Sequence, residues 1–357
     1  LWVPPMISDM EYSLDPNRHP FYEDRESEAQ CFLAKNNGEI QGRIMAIESG
    51  PYNKEHDENT SFFYFFESRD DQSVADALFK AAFDWARNRG LDKIIGPMGL
   101  IAGDGHGTLI EGFERRPGMG IPWNPPYYEK LIENAGFKKL SDTLSAEVNL
   151  DFDEHKELVQ DLYRSAEKIK KKRRLKIKNF DSKEKIKNKM DYLVPQLCKV
   201  YNDSFKKLPF YHPMDEEKMK RIINKLLSVA NHKSVNLVQF AMKEDKIIGF
   251  LLAYPNIVSG LRKAGGKPWP LGWFHIMMDR RFTKWVDANG IGILPEFQGT
   301  GAAAILYAQL VKTLQGSRFE NLIINQILEE NHKNLREMKI FGVTEFNRVH
   351  RIYQRNL

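Results

Sequence analysis

The residues that could do chemistry gather in one stretch, Ile291-Gly292-Ile293-Leu294-Pro295-Glu296-Phe297-Gln298-Gly299-Thr300-Gly301-Ala302-Ala303-Ala304. An apolar strand ends at Pro295, a turn carrying Gly299 and Gly301 follows, and an alanine-rich helix starts at once. The first N–H groups of such a helix have no partner within it, and its dipole is positive there, so the place suits a pyrophosphate. The two glycines let phosphate approach the backbone, and Ala302 and Ala303 keep the helix start uncrowded. No Gly-Lys-Ser/Thr follows, which excludes a Walker loop, and the βαβ context of a dinucleotide fingerprint is missing. An ordinary strand-to-helix turn is the plain alternative.

Asp287 lies upstream on the same strand. Regular alternation would set it on one face with Asn289, Ile291 and Ile293. It is the candidate base for taking a proton from an amine, directly or through water, against the plainer role of a hydrogen-bonded strand aspartate. Asp104-Gly105-His106-Gly107 and His275 lie in Gly-rich or inserted loops and are weaker candidates, better read as loops without a fixed role. The densest charge, Lys168-Ile169-Lys170-Lys171-Lys172-Arg173-Arg174, reads as a solvated helix end. No aromatic residues interleave with it, so nucleic acid is not an expected partner.

These residues need a scaffold, and the composition allows one. The 357 residues suggest two domains. With 42% hydrophobic and 28% charged residues the chain is of the soluble globular class, and its net charge of +5 fits a small anionic ligand. Two cysteines, Cys31 and Cys198, each in an apolar-periodic segment, read as buried thiols in a reducing compartment. No zinc pattern can be built from them, and no metal is expected. No run of about 18 apolar residues and no secretory signal is present, so the expectation is a cytoplasmic protein without a membrane span.

The scaffold reads as one unit used twice. Residues 34–47 and 241–254 are both hairpins, with Gly42 and Gly249 separated by 249 − 42 = 207 positions. Asn124 and Asn331, each opening a short helix closed by glycine, are also 331 − 124 = 207 apart. Between these anchors each half holds a strand, an amphipathic helix and a strand: 62–67, 74–89 and 93–96, then 284–294, 301–314 and 321–326. Closing strands follow at 139–150 and 344–353. Loops at 96–120 and 256–281 are insertions. The expected organisation is a first domain over 1–150, a linking basic helix over 151–174 and a second domain over 175–357, with a strand at 175–180 and helices at 192–205 and 216–229.

Taken together, the loop and the order of elements resemble the Gcn5-related N-acetyltransferases. Gln298-Gly299-Thr300-Gly301-Ala302-Ala303 fits that family's Gln/Arg-x-x-Gly-x-Gly/Ala phosphate loop, which joins the fourth strand to the third helix. The resemblance covers about 170–357 well and 25–150 in outline. It implies an α/β (α+β) fold of two tandem domains, each a central mixed, mostly antiparallel sheet flanked by helices. It also implies acetyl-CoA or a longer acyl-CoA as donor. Backbone groups of the splayed strand around Ile293, Leu294 and Pro295 would orient the acyl group. Asn331 would lie beside the pantetheine arm. The loop that opens with Phe205 and contains Tyr211 would line the acceptor site, or simply pack. Where many members carry a tyrosine that protonates the leaving thiolate, this chain has Met338. Tyr307 is a substitute or a packed helix residue.

The first half departs at the decisive place. Residues 67–73 hold no glycine and place Glu67, Asp70 and Asp71 where phosphates would go, so that half is expected to lack a coenzyme site. The resemblance therefore implies an acyl-CoA-dependent N-acyltransferase acting by direct attack of a small-molecule amine, possibly an amino acid derivative. The alternatives are an aminoacyl-tRNA-dependent transferase of the peptidoglycan-bridge type and a non-catalytic acyl-CoA-binding protein.

Overall fold

A computed structural model describes residues 1–101, 104–179, 183–229 and 237–357. They form two compact units. The first comprises 1–145, 326–331 and 347–357, and the second 146–325 and 332–346.

In the first unit, a short helix α1 (Ile7–Ser13) precedes the hairpin of β1 (Glu28–Asn36) and β2 (Glu39–Glu48). Asn37 and Gly38 turn it, both at positive φ, as a tight hairpin turn between right-twisted strands requires. After α2 (Gly50–His56), β3 (Thr60–Ser68) adds antiparallel to β2. The crossover helix α3 (Gln72–Asn88) leads to β4 (Lys93–Gly96), parallel to β3. α3 buries Ala75, Leu78, Phe79, Ala82, Phe83 and Ala86, the stripe that a 3.6-residue period produces. Phe79 and Phe137 pack on Phe63 with ring centroids 5.3 and 5.2 Å away, so aromatic contact fixes the helix on the sheet. β5 (Thr108–Glu111), α4 (Tyr127–Asn134) and β6 (Lys138–Asn149) follow.

The second unit begins with α5 (Lys156–Arg173) and repeats the plan. β7 (Leu175–Asn179) is followed by α6 (Lys183–Lys187), α7 (Met190–Phe205) and α8 (Glu216–Val229). β8 (Val238–Lys243) and β9 (Lys246–Pro255) form the hairpin, and β7 pairs antiparallel with β8. Residue 180, expected to end the first strand of this half, lies outside the described residues. The expected loop at 256–281 is instead a pair of helices, α9 (Val258–Ala264) and α10 (Gly272–Phe282). Gly265-Gly266 and Pro268-Trp269-Pro270 interrupt the apolar period, which is why short helices there look like a loop in the sequence. β10 (Trp285–Ile293) runs antiparallel to β9 and parallel to β11 (Asn321–Leu328), with α11 (Ala302–Gln315) as crossover and α12 (His332–Glu337) after.

The second half does not keep the closing strand read at 344–353. β12 (Arg348–Asn356) lies in the first unit's sheet, antiparallel to β4 on one side and to β6 on the other. There it buries His350, Ile352 and Tyr353 completely. Apolar alternation identifies a half-buried strand but does not say which edge it will pair with. One further expectation changes. Cys198 is buried on α7, but Cys31 is exposed, because β1 is the edge strand of its sheet and has one face open.

Candidate active site

The site is built where β10 leaves β11. The parallel ladder joins only Trp285–Ala288 to Asn321–Ile324. At Asn289 the register of β10 on β9 shifts by one residue, a β-bulge marked by Gly290. Beyond it, β10 continues on β9 alone. The Leu294 N–H donates to the Ile248 carbonyl at 2.9 Å, so Gly290, Gly292 and Leu294 turn their backbone groups to β9. Ile291 and Ile293 therefore turn theirs toward the widening gap on the β11 side. Of the three positions expected to orient an acyl carbonyl, Leu294 has its N–H taken and Pro295 has none, which leaves Ile293, joined by Ile291.

The turn after β10 winds back on itself. Phe297 N–H donates to Leu294 O, Gln298 N–H to Pro295 O, and the Thr300 hydroxyl to Phe297 O at 2.7 Å. Gln298 Nε2 donates to Ile293 O at 3.1 Å, so the side chain that opens the loop motif holds the loop to the end of the strand. Gly299 and Gly301 stand at φ 74° and 92°, where a side chain is strained. α11 then starts with Gly301 in the N-cap place. Among the described residues no side chain caps it, and its first turn carries no acid. A helix start of this kind can receive an anion on its opening N–H groups, with the dipole in support.

Two features beside this turn escape the sequence reading. α5 packs along α11 in the opposite direction: Tyr163 bonds Gln315 near one end, and Ile169 occupies the space a Cβ on Gly301 would need. The basic end of α5 thus flanks the open N-terminus of α11. The 207-residue repeat gave no hint of this, because the helix precedes the second repeat. Asn325, the next residue of β11 after the paired segment, is 7% exposed, and neither atom of its amide has a hydrogen-bond partner among the described residues. An orphaned buried amide costs on the order of 1–3 kcal/mol, and here it stands where the strands part. Asn325, which ends the apolar run Leu322-Ile323-Ile324, was the available signal.

The bulge also moves Asp287. Its partner is Tyr254, whereas Gly290 and Gly292 pair with Leu252 and Phe250, so Asp287 shares a face with those residues and not with Ile291 and Ile293. It is fully buried, and its Oδ1 accepts from Asn256 Nδ2 at 2.9 Å. Burial first, and then the nearby Asp287, push the Tyr254 phenol well above its ordinary pKa. The opposite face, with Gly249 and Leu251, is the one covered by α11: Gln239, paired with Leu251, meets the Leu306 and Leu310 backbone.

The Asp287 face is covered by α7 and the loop after it. The Phe205 ring lies 6.3 Å from Phe250 and 5.0 Å from Tyr201. Tyr211 is buried and donates to Asn202 Oδ1 at 2.7 Å, while Asn202 Nδ2 donates to Met214 O. Tyr211 therefore fixes the loop, and Phe205 is the residue that reaches the sheet.

Tyr307 is buried, with its hydroxyl 3.2 Å from Asn334 Oδ1 and 3.3 Å from Glu337 Oε2, and burial raises its pKa well above normal. It packs edge-on against Phe341, as a structural helix residue would. Met338 is buried as well. Asn331 falls in the segment counted with the first unit, where its N–H donates to Leu328 O. In the first unit, the Asp104 to His106 loop is pinned, since Gln326 Nε2 donates to His106 O and Ile101 N–H to Asp104 Oδ2. Among the described residues, no cluster of His, Cys, Asp or Glu is arranged to hold a metal, and no helix is long and apolar enough to cross a membrane.

No protein-family model matches the chain. Among curated proteins it is similar to the bacterial ceramide synthase of Caulobacter vibrioides, 24% identical over 367 residues that span 100% of this chain and 90% of the relative. It is also similar to protein YghO of Escherichia coli, 23% identical, covering 100% of this chain and 88% of that protein. Among solved structures, a Gcn5-related N-acetyltransferase from Sphaerobacter thermophilus superposes with a TM-score of 0.50 at 10% identity, over 92% of this chain and 80% of that one. The chain has the Gcn5-related N-acetyltransferase fold.

Proposed function

We propose that the second unit is a long-chain N-acyltransferase that takes its acyl group from an acyl-CoA and places it on the primary amine of an amphiphilic acceptor. One observation carries the donor: β10 parts from β11 at Asn289, and the turn that follows it ends in an uncapped helix N-terminus. The N–H groups that open α11 would hold the pyrophosphate, with the basic end of α5 beside them. The backbone of Ile291 and Ile293 would pair with the pantetheine arm as a strand does, and the Asn325 amide would bond one of its amides. The thioester supplies the activated acyl carbon. The Ile293 N–H would stabilise charge that builds on its oxygen. The amine nitrogen bonds that carbon as the C–S bond breaks. Asp287, buried and held by Asn256, would receive the amine proton through water. The leaving thiolate would be protonated from solvent, since Met338 has no proton to give and the Tyr307 hydroxyl is engaged.

The acceptor class rests on two supports. The ceramide synthase relative aligns over the whole chain, and the Asp287 face carries Phe250 and Tyr254 with the Phe205 ring packed over it. An apolar face suits a long-chain 2-amino alcohol better than a polar amino acid. The test is calorimetric titration with acetyl-CoA and palmitoyl-CoA, then mass spectrometry for the amide after adding such an amine. Palmitoyl-CoA binding with amide formation is the expected result. Binding without amide would leave a binding protein, and no binding of either donor would overturn the reading.

A further inference from the structure

The α9–α10 hairpin has its polarity reversed. A surface helix ordinarily turns apolar residues inward and charged ones out. On α10, His275, Ile276 and Asp279 face α9, where a Cβ on Gly260 would meet the first two through backbone atoms and Asp279 through its Cβ. Trp273, Phe274, Met277 and Met278, spaced for one helical face, are exposed instead, Trp273 by 46% and Met277 by 48%. Trp269 and Leu271 at the hairpin tip stand out by 77% and 67%, and Phe282 ends the run at 59%. Half of the exposed large apolar side chains of the described chain lie in this one stretch, so scattered surface apolarity does not account for them.

Charge distinguishes among possible occupants. Residues 256–283 contain five basic residues and a single acid, Asp279. The Asp279 carboxylate is turned inward and accepts from the Gly260 N–H at 2.6 Å. Arg262, Lys263 and Lys267 are exposed beside the tip, and the Arg281 guanidinium sits 5.6 Å over the Phe282 ring at the far end. An outward face of Trp, Phe, Leu and Met, in a stretch whose outward charges are all cationic, is complementary to an anionic lipid–water interface. The base of the hairpin is fixed. The Thr283 hydroxyl donates to Asn256 O, and Arg318 donates to the carbonyls of Thr283 and Arg280. The exposed face is thus held out by the fold.

We infer that the α9–α10 hairpin docks the protein on the surface of an anionic bilayer, lying in the interface without crossing it. This goes beyond the proposed activity and does not depend on it. The test is co-sedimentation of the full chain with vesicles of equal parts phosphatidylcholine and phosphatidylglycerol, compared with phosphatidylcholine alone. Binding to the anionic vesicles is expected, weakening as salt is raised. It should fall about tenfold or more in a Trp273→Ser/Phe274→Ser variant and severalfold in Arg281→Glu. Both variants change exposed side chains, so palmitoyl-CoA titration should confirm that their donor site is intact. Vesicle binding that the variants leave unchanged, or no vesicle binding at all, overturns the inference. So does a dimer in sedimentation equilibrium that the same variants disperse without any vesicle binding. Absence of donor binding by the unaltered chain, with its vesicle binding intact, would sink the proposed activity alone.

Discussion

The starts of α3 and α11 occupy equivalent places in the two halves of the repeat, after a bulged strand and before a crossover helix, but only one of them is open. At α3 the position is filled by the chain itself. Asp71 caps the helix, accepting from Ser73 N–H at 2.8 Å and from the Ser73 hydroxyl at 2.7 Å. Glu67 accepts from the Tyr128 hydroxyl, which in turn accepts from Ser68 N–H. The strands do not gape there either: the Met98 N–H donates to Phe63 O just past the short parallel ladder of β3 and β4. At α11 there is a glycine in place of the aspartate, no acid in the first turn, and an orphaned amide where the strands part. The positive end of a helix is satisfied by its own carboxylate or by a ligand's phosphate, and a residue that does the first removes the second.

The strongest way to break this comparison is to give α11 what α3 has. Ala303→Glu places a carboxylate in the first turn, at a half-buried position with no strained backbone. Gly301 is less suitable for substitution, because any side chain there also meets Ile169. Acyl-CoA affinity should fall by about 100-fold from like-charge repulsion, while the melting temperature holds or rises slightly, since acids favour helix starts. Calorimetry and a thermal melt measure the two sides. Unchanged affinity would mean that this helix start holds no phosphate.

A second test asks whether the first unit has spent its polar groups on structure. His350 on β12 is fully buried, with Nε2 2.9 Å from the Pro122 carbonyl. Burial, with help from Arg348, pushes its pKa down to about 3. The folded imidazole stays neutral while the unfolded chain takes up a proton near pH 6.5. Its stabilising contribution is therefore complete above about pH 6.5 and is lost progressively as pH falls toward about 3. At pH 5 the loss is about 2 kcal/mol. Denaturant midpoints against pH should show it, and in His350→Gln the slope between pH 6.5 and 4 should flatten by about one proton. An unchanged slope would place the acid sensitivity elsewhere, His106 being the next group to test, since burial pushes its pKa down to about 4.

Much of this contrast was legible in the residues. Gly299 and Gly301 against Asp70 and Asp71 already distinguished the two helix starts, because capping and anion binding depend on local chemistry. The hairpins and crossover helices were legible because their periods are local too. The partners were not. Nothing in 348–356 says that the strand will lie between β4 and β6, since pairing is chosen by the whole sheet. The face of Asp287 was misread because one inserted residue at Asn289 reverses every side chain beyond it. The Asn289-Gly290 pair within a strand was the available signal. The basic end of α5 read as a solvated run, and only tertiary packing brings it to α11.

The remaining tests have smaller effects and separate cap from site. Asp71→Ala should lower the melting temperature by about 2 °C through loss of the α3 cap, with acyl-CoA titration unchanged. A new donor-binding event in that variant would show that the carboxylate alone had closed the first site, and the missing glycines would then matter less than the comparison holds. Tyr307→Phe sharpens the other half. The hydroxyl only joins α11 to α12 through Asn334 and Glu337, with hydrogen bonds long enough to be weak. Its removal should cost about 0.5–1 kcal/mol of stability and change turnover less than about threefold. A much larger fall in turnover with donor affinity intact would make this phenol the thiolate's proton source. In that case its raised pKa, caused first by burial and then by Glu337, would be part of the chemistry and not a consequence of packing.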